Sequence, residues 1–197
     1  MLKAVEGGGG KGIREVQTPD ELLTNYNSVT KEVSGKLFVM KKAVNSFHLE
    51  VQFVSDGHKA KHLYGRDCSI QRRSQKLIEE GPITIAPKKI QEEMYQAAVL
   101  LAETMCYKGV GTAEFLYNPQ DNTYTFLEIN PRLQVEHIIT ELLLTLNLPA
   151  IQMAIYEGRL LSEIPSLTVI EPPQNIHIMS TRINAENPYN GFQPSCG

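Results

Sequence analysis

Glu114, Glu128, Asn130, Arg132, Gln134 and Glu136 are the residues of this chain best suited to do chemistry together. All but the first follow at once on the apolar run Phe126-Leu127, and Glu114 stands fourteen residues before Glu128 in the stretch Thr112-Ala113-Glu114-Phe115-Leu116-Tyr117. The segment between the two stretches, Asn118-Pro119-Gln120-Asp121-Asn122, is turn chemistry and predicts a hairpin. The even spacing sends both carboxylates to one sheet face if the loop is regular. Two carboxylates and the amide oxygen of Asn130 on one face suit a hard divalent cation with oxygen ligands. Arg132 and Glu136 then stand beside the metal as a fixed cation and a candidate base. Solvated acids on an edge hairpin are the plainer alternative, and the dense polar run from Asn130 to Glu136 weighs against it.

Near the N-terminus, Gly7-Gly8-Gly9-Gly10 is flanked by Lys3, Lys11 and Arg14. Four glycines free the backbone to approach a ligand closely and to aim successive N–H groups at an anion. No Gly-Lys-Ser/Thr opens a helix here, so this is not a Walker P-loop. A flexible linker is the competing reading, and the acidic hairpin downstream favours a phosphate lid.

These groups need elements to carry them. Thr18-Pro19-Asp20-Glu21 reads as a capping box opening a helix to about Val33. Lys36 to Lys41 reads as a strand. In Phe47-His48-Leu49-Glu50-Val51-Gln52-Phe53 the alternation is strict: Leu49, Val51 and Phe53 face a core, and His48, Glu50 and Gln52 face the other side. Asp56-Gly57 predicts a turn into a strand around His62-Leu63-Tyr64. Ile90, Met94, Ala97, Leu101 and Met105 recur at helical spacing, with Gly109 ending that helix. Pro149 starts another helix, running to Tyr156 and stopping at Gly158. Ile176, Ile178 and Ile183 define a last strand that carries Arg182. Antiparallel hairpins interleaved with helices predict α+β packing.

Composition narrows the class. The chain has 197 residues, and its 42% hydrophobic content is enough to bury a substantial core. A net charge of -3 gives no electrostatic case for nucleic acid; the basic residues cluster locally instead, at Arg72-Arg73 and Lys88-Lys89. Cys68, Cys106 and Cys196 are odd in number and far apart, which suggests reduced thiols and a cytoplasmic protein. No apolar run approaches the ~18 residues of a membrane span, and no signal-peptide pattern is present.

Five motifs then occur in order: KAVEGGGGKGIREV, HLEVQFVSDG, GRDCSIQRRSQKLIEEGP, FLEINPRLQVEHIITE and TRINAENPYNGFQPSCG. Together they resemble the biotin carboxylase component of the ATP-grasp superfamily, over essentially the whole chain. Glu6 before the glycines, Gly65 before Arg66-Asp67-Cys68, and Asn147-Leu148-Pro149-Ala150 are similar to the eukaryotic multidomain acetyl-CoA carboxylase branch more than to pyruvate or propionyl-CoA carboxylases. The resemblance implies an ATP-grasp fold with a partial lid subdomain over residues 1–44, followed over 45–197 by most of the C-terminal antiparallel-sheet subdomain.

It also implies a chemistry. MgATP would bind between the glycine lid and the acidic sheet, with Lys3 and the amides of Gly8, Gly9 and Gly10 holding phosphate oxygens. Lys41 and Val44 would border the adenine, and His48 and Gln71 would line the nucleotide site. Glu114, Glu128 and Asn130 would ligate Mg²⁺ or Mn²⁺, neutralising charge as the γ-phosphoryl moves. Arg132, Lys76, Gln134 and the backbone of Val135 would clamp bicarbonate. Glu136 would act as general base on it, and Arg182 would stabilise the biotin enolate. Biotin on its carrier domain and a carboxyltransferase would be the partners, in a homo-oligomer at full length. A carbamoyl-phosphate synthetase-like ligase, another acyl-CoA or pyruvate carboxylase, and a silent nucleotide-binding fragment are the alternatives; Glu136 with Arg132 and Arg182 favours biotin carboxylase.

The chain departs from the family pattern at Ser74, where His is usual, at Ile138 for proline, at Leu142 for methionine, and at Val5, bulkier than usual before the glycines. None of these removes a group assigned to the chemistry. Relatives carry sequence before Met1 and after Gly197, so the expectation is a truncated piece that does not turn over alone.

Overall fold

The computed structural model describes residues 1–6, 12–72, 75–168, 170–171 and 173–195. It divides into two compact units. The first comprises Met1–Asn45 with Gln71–Gln75, and the second comprises Ser46–Ile70 with Lys76–Gly197.

In the first unit β1 (Leu2–Ala4) pairs antiparallel with both β2 (Ile13–Arg14) and β3 (Leu37–Val39). Leu2 and Ala4 point to one side of the strand and meet Val29 of α1 (Pro19–Glu32), which closes a small core. Pro19 and the acids Asp20 and Glu21 suit the start of α1, where N–H groups lack partners and the helix dipole favours negative charge. The expected capping box does not close. The Thr18 side chain makes no capping bond, and Glu21 turns back one residue further, accepting from the Gln17 N–H at 2.9 Å.

The second unit is built on a six-stranded sheet in the order β8-β7-β4-β5-β6-β9. Its strands are β4 (Phe47–Asp56), β5 (Ala60–Arg72), β6 (Gln75–Gly81), β7 (Lys108–Asn118), β8 (Thr123–Asn130) and β9 (Ile178–Thr181). Alternation on β4 sends Leu49, Val51 and Phe53 to one face. There they pack with Ala113, Phe115 and Tyr117 of β7 beneath α2 (Lys88–Thr104). Each such Leu, Val or Phe, fully buried, contributes roughly 1.5–3 kcal/mol. The stripe of α2 differs from the expected one. Ile90 and Met94 are buried as expected, but Tyr95, Ala98 and Ala102 complete the face, while Met105 is exposed. Ala97 still packs against that core, and Met105 stands past Thr104, the last helical residue, where the helix face has ended.

Gly109 does not end α2. The helix stops at Thr104, Cys106 takes the left-handed conformation (φ 48°), and Gly109 already belongs to β7.

The opposite sheet face is polar at His48, Glu50 and Gln52 and apolar further along, at Val54. There α4 (Leu148–Tyr156) covers it with Leu148, Ile151 and Ile155. The Asn147 side chain caps α4 by accepting from the Ala150 N–H at 2.8 Å, and Gly158 (φ 96°) follows its end. The helix before it, α3 (His137–Leu144), packs beside β9. No single helix among the described residues is long and apolar enough to cross a membrane. The pair α3 and α4 reaches that length and apolarity only together, bent by 98°, with Ile139, Leu148, Ile151 and Ile155 buried in the protein. A four-residue helix α5 (Pro165–Thr168) and a ribbon of β10 (Glu186–Asn187) with β11 (Gln193–Pro194) complete the unit.

The last sheet strand is shorter than its pattern suggests. Arg182 lies one residue beyond β9, its N–H still bonded to Leu77 O at 2.9 Å, and Ile183 is 92% exposed.

Candidate active site

Register, more than local sequence, assembles the site. Glu50 pairs with Arg66 of β5 on one side and with Glu114 of β7 on the other, and Glu114 in turn pairs with Glu128 of β8. One row therefore runs Arg66-Glu50-Glu114-Glu128 across four strands, and Gln52-Thr112-Asn130 forms the row beside it. The expected reason for Glu114 and Glu128 sharing a face, a regular loop, is not the operative one. Near the turn, Asn118 pairs with Thr123 and Phe115 with Phe126. That register would set Glu114 against Leu127, and a bulge after Phe126 shifts it by one so that Glu114 meets Glu128.

Like charges abreast on a sheet repel, so the row needs cations. Lys76 of β6 supplies one: its Nζ donates to Glu50 at 2.6 Å, Glu114 at 2.9 Å and Glu136 at 2.7 Å. Burial alone would lower the Lys76 pKa, but the surrounding carboxylates, Glu50 foremost, raise it, and the side chain stays an ammonium. Arg66, fully buried, donates from Nε to Glu50 at 2.6 Å and from Nη1 to Gln52 and Thr140 at 2.8 and 2.7 Å. Burial would also raise the Glu50 pKa; Arg66 and Lys76 outweigh it and hold the group lowered.

Glu114 is the most heavily solvated carboxylate of the cluster, solvated by protein. Its Oε1 accepts from Lys76, from Asn130 Nδ2 at 2.9 Å and from Gln134 Nε2 at 3.3 Å, and its Oε2 contacts His48 Nε2 at 2.7 Å. Burial works to raise its pKa, but the His48 hydrogen bond and the Lys76 charge prevail and hold it at about 2.

Glu136 immediately precedes α3 and has both oxygens engaged: Oε1 with Lys76 and Oε2 with Arg182 Nη2 at 2.8 Å. Each oxygen keeps a second lone-pair site, so a proton can still be accepted there. Arg182 Nε also donates to Glu79 Oε1 at 2.5 Å. Burial raises the Glu79 pKa more than Arg182 lowers it, and its Oε2 is buried without a partner among the described residues. Four carboxylates (Glu50, Glu79, Glu114, Glu136) thus share the cations Arg66, Lys76 and Arg182. Among the described residues these carboxylates outnumber the cations bonded to them, and the exposed Glu128 adds one more acid. Its carboxylate and amide groups are the donor chemistry that a divalent cation takes.

Of the residues singled out from sequence, His48, Lys76, Glu114, Asn130, Gln134, Glu136 and Arg182 come together, with Glu128 paired across from Glu114. Lys76 is largely buried, and the Arg182 guanidinium donates to Glu79 and Glu136. Arg132 stays outside the network: it is exposed, and among the described residues its Nη1 meets the adjacent Leu133 O, at 3.3 Å. The Val135 side chain is exposed, while Gln134 is buried with its Oε1 unpartnered among the described residues. Lys3, Lys41, Val44 and Gln71 belong to the first unit. Gly8, Gly9, Gly10 and Ser74 lie outside the described residues. Sequence reasoning assigned no role to Glu50, Arg66, Glu79, Gln52 or Thr140. For Glu50 and Gln52 the signal was polar residues alternating with apolar ones on β4; Arg66, Glu79 and Thr140 lie on other elements and carried none.

Comparison with known proteins places the chain in a family and a fold. Residues 1–164 match the family described as carbamoyl-phosphate synthase L chain, ATP binding domain. The mitochondrial acetyl-CoA carboxylase of Saccharomyces cerevisiae is 44% identical over an alignment covering the whole chain and 10% of that protein. The chain therefore spans about a tenth of the length of the curated relatives it matches. Among solved structures, the Campylobacter jejuni biotin carboxylase-βγ-ATP complex superposes with a TM-score of 0.88 and 36% identity, over 98% of this chain and 43% of that one. The biotin carboxylase domain of Hydrogenobacter thermophilus 2-oxoglutarate carboxylase, in complex with MgADP, ADP and bicarbonate, gives 0.87 and 35% over the same shares. The helices and antiparallel sheet are an α+β, ATP-grasp arrangement.

Proposed function

Since the chain belongs to the family of the carbamoyl-phosphate synthase L chain ATP-binding domain, and within it resembles biotin carboxylases, we propose that it is the biotin carboxylase segment of a biotin-dependent carboxylase. The parent is an ATP-dependent ligase of the acetyl-CoA carboxylase kind. It carboxylates biotin from bicarbonate by way of carboxyphosphate, the first step towards malonyl-CoA and fatty acid synthesis.

The observation that carries this reading is the position of Glu136, with Lys76 on one oxygen and Arg182 on the other, beside the acidic row. A carboxylate so flanked has cations at hand for an anionic reactant, and it can take the proton bicarbonate must lose before it attacks a phosphorus. Lys76 and Gln134, whose Oε1 is unsatisfied, would orient bicarbonate, with Arg132 swinging in from its exposed position. Arg182, held by Glu79, would face the enolate oxygen of biotin, a charge that develops only during reaction. Glu114, Glu128 and Asn130 fit Mg²⁺ or Mn²⁺ as oxygen donors. The metal, when bound, neutralises phosphate charge as the phosphoryl group is transferred. His48 keeps Glu114 oriented. Lys3, Gly8, Gly9, Gly10, Lys41, Val44 and Gln71 are assigned to the nucleotide on the family resemblance, in a lid segment formed by the first unit. The carrier domain bearing biotin and a carboxyltransferase are the implied partners.

ADP release from the parent polypeptide tests the reading. It is expected to require bicarbonate and to rise when free biotin is added. Turnover indifferent to bicarbonate, or driven by ammonia to a carbamoyl product, would place the chain with the other ligases of its family.

A further inference from the structure

We infer that Arg66, which among the described residues hydrogen-bonds to neither Lys76 nor Glu136, is the positioning residue that fixes both, Lys76 through Glu50 and Glu136 through Thr140. The inference rests on the reading of Lys76 and Glu136 as the groups that meet bicarbonate.

Arg66 is fully buried and forks in two directions. Its Nε grips one oxygen of Glu50 at 2.6 Å, and the other Glu50 oxygen takes the Lys76 ammonium at 2.6 Å. Glu50, itself fully buried, is therefore a rigid bridge with a cation on each side. The second arm, Nη1, reaches Thr140 Oγ1 at 2.7 Å on α3, one turn after Glu136, and is braced by Gln52 at 2.8 Å. Gln52 is in turn anchored to the Gly111 carbonyl at 2.8 Å. One planar guanidinium thus ties β4, β5 and the start of α3 together, and the separation of Lys76 from Glu136 depends on it. A lysine could keep the charge but not both directions at once. Without the cation, Glu50 would be a buried acid beside Glu114. It would then either capture Lys76 for itself or take up a proton and release it. Either outcome moves a group whose placement within about an ångström matters to rate.

Solvent exchange of lysine ammonium protons, read by ¹⁵N NMR on the purified chain, tests the relay without requiring turnover. In the parent, the Lys76 signal is expected to be protected. In Arg66→Met its exchange should accelerate by roughly tenfold or more, and in Arg66→Lys by less. Lys61, whose ammonium donates to Leu167 O at 2.6 Å, serves as the internal reference and should not change. Unchanged Lys76 exchange in folded Arg66→Met overturns the inference. Should that variant fail to fold, Glu50→Gln keeps the shape and removes the bridging charge; it must expose Lys76 in the same way, and protection at the parent level overturns the inference equally. In the full-length carboxylase, Arg66→Lys should raise KM for bicarbonate by about tenfold or more while KM for ATP stays within about twofold. A parent enzyme indifferent to bicarbonate would refute the functional reading alone, since the relay is decided by the exchange measurement.

Discussion

Lys76 and Glu136 are joined by a 2.7 Å ion pair although 60 residues separate them in the chain. The same ammonium holds Glu50 and Glu114, so a single lysine is the common partner of acids from β4, β7 and the start of α3. This convergence makes the site a stability element as well as a chemical one.

Replacing Lys76 with methionine should therefore destabilise the fold. Three buried carboxylates would lose their shared cation, and breaking a buried pair by removing one partner costs about 3–5 kcal/mol. Urea unfolding at neutral pH measures it. A loss below ~1 kcal/mol would mean that the acids find other partners at once.

Acid should weaken the fold through Glu114. Its carboxyl is held at about 2, below its ordinary 4.5. The stability this adds is complete above about 4.5 and disappears as pH falls from there towards 2, to an extent on the order of 3 kcal/mol. Glu114→Gln should start less stable at neutral pH and lose less over that window. Parallel stability curves for the two proteins between pH 5 and 2 would contradict the assignment.

Glu128 offers the cleanest separation of metal binding from folding, because it is exposed and its side chain takes no part in the ion pairs of the row among the described residues. Glu128→Gln should leave the melting temperature within about 2 °C of the parent. Mg²⁺-dependent nucleotide binding should weaken by roughly tenfold or more, since a lost carboxylate donor is lost charge at the phosphates. Titration calorimetry with and without Mg²⁺ reports both. Equal Mg²⁺ dependence in the two proteins would remove Glu128 from the ligand set.

Gly111 tests the apolar side of the same sheet. A Cβ there would run into the Phe53 ring, and the ring is fully buried. Gly111→Ala should cost about 1–3 kcal/mol from overpacking, visible as a drop of several degrees in a thermal melt, with the nucleotide affinity of the folded fraction unchanged.

The parts of this protein that could be read in advance are those specified locally. Asn118 to Asn122 announced the β7–β8 hairpin, Pro149 announced α4, and the alternation of Phe47 to Phe53 announced which side of β4 meets the core. Local patterns failed where the determinant is distant. β6 was not foreseen, because Gln75 to Gly81 mixes charged and apolar residues, and its Lys76 and Glu79 face buried partners rather than solvent. Arg66 gave no hint of its burial, since its partners come from β4 and from Thr140, 74 residues away. The metal-type residues were recognisable by chemistry, but the reason they face one way was not: turn residues do not reveal a bulge further along the strand, at Leu127.

That bulge decides which face the site residues of β8 take. Leu127 is the extra residue on β8, and the bulge around it brings Glu128 opposite Glu114 and Asn130 opposite Thr112. Were Leu127 held in a regular ladder instead, Glu128 would stand opposite Ala113, on the face packed under α2. Deleting Leu127 would join Phe126 directly to Glu128 and leave Glu128 opposite Glu114, whereas deleting Ile129 would turn Asn130 to the face of Ala113. Among homologous or engineered chains, this hairpin should therefore tolerate the loss of Leu127 and reject the loss of Ile129, a contrast that a deletion scan scored by Mg²⁺-dependent nucleotide binding would expose.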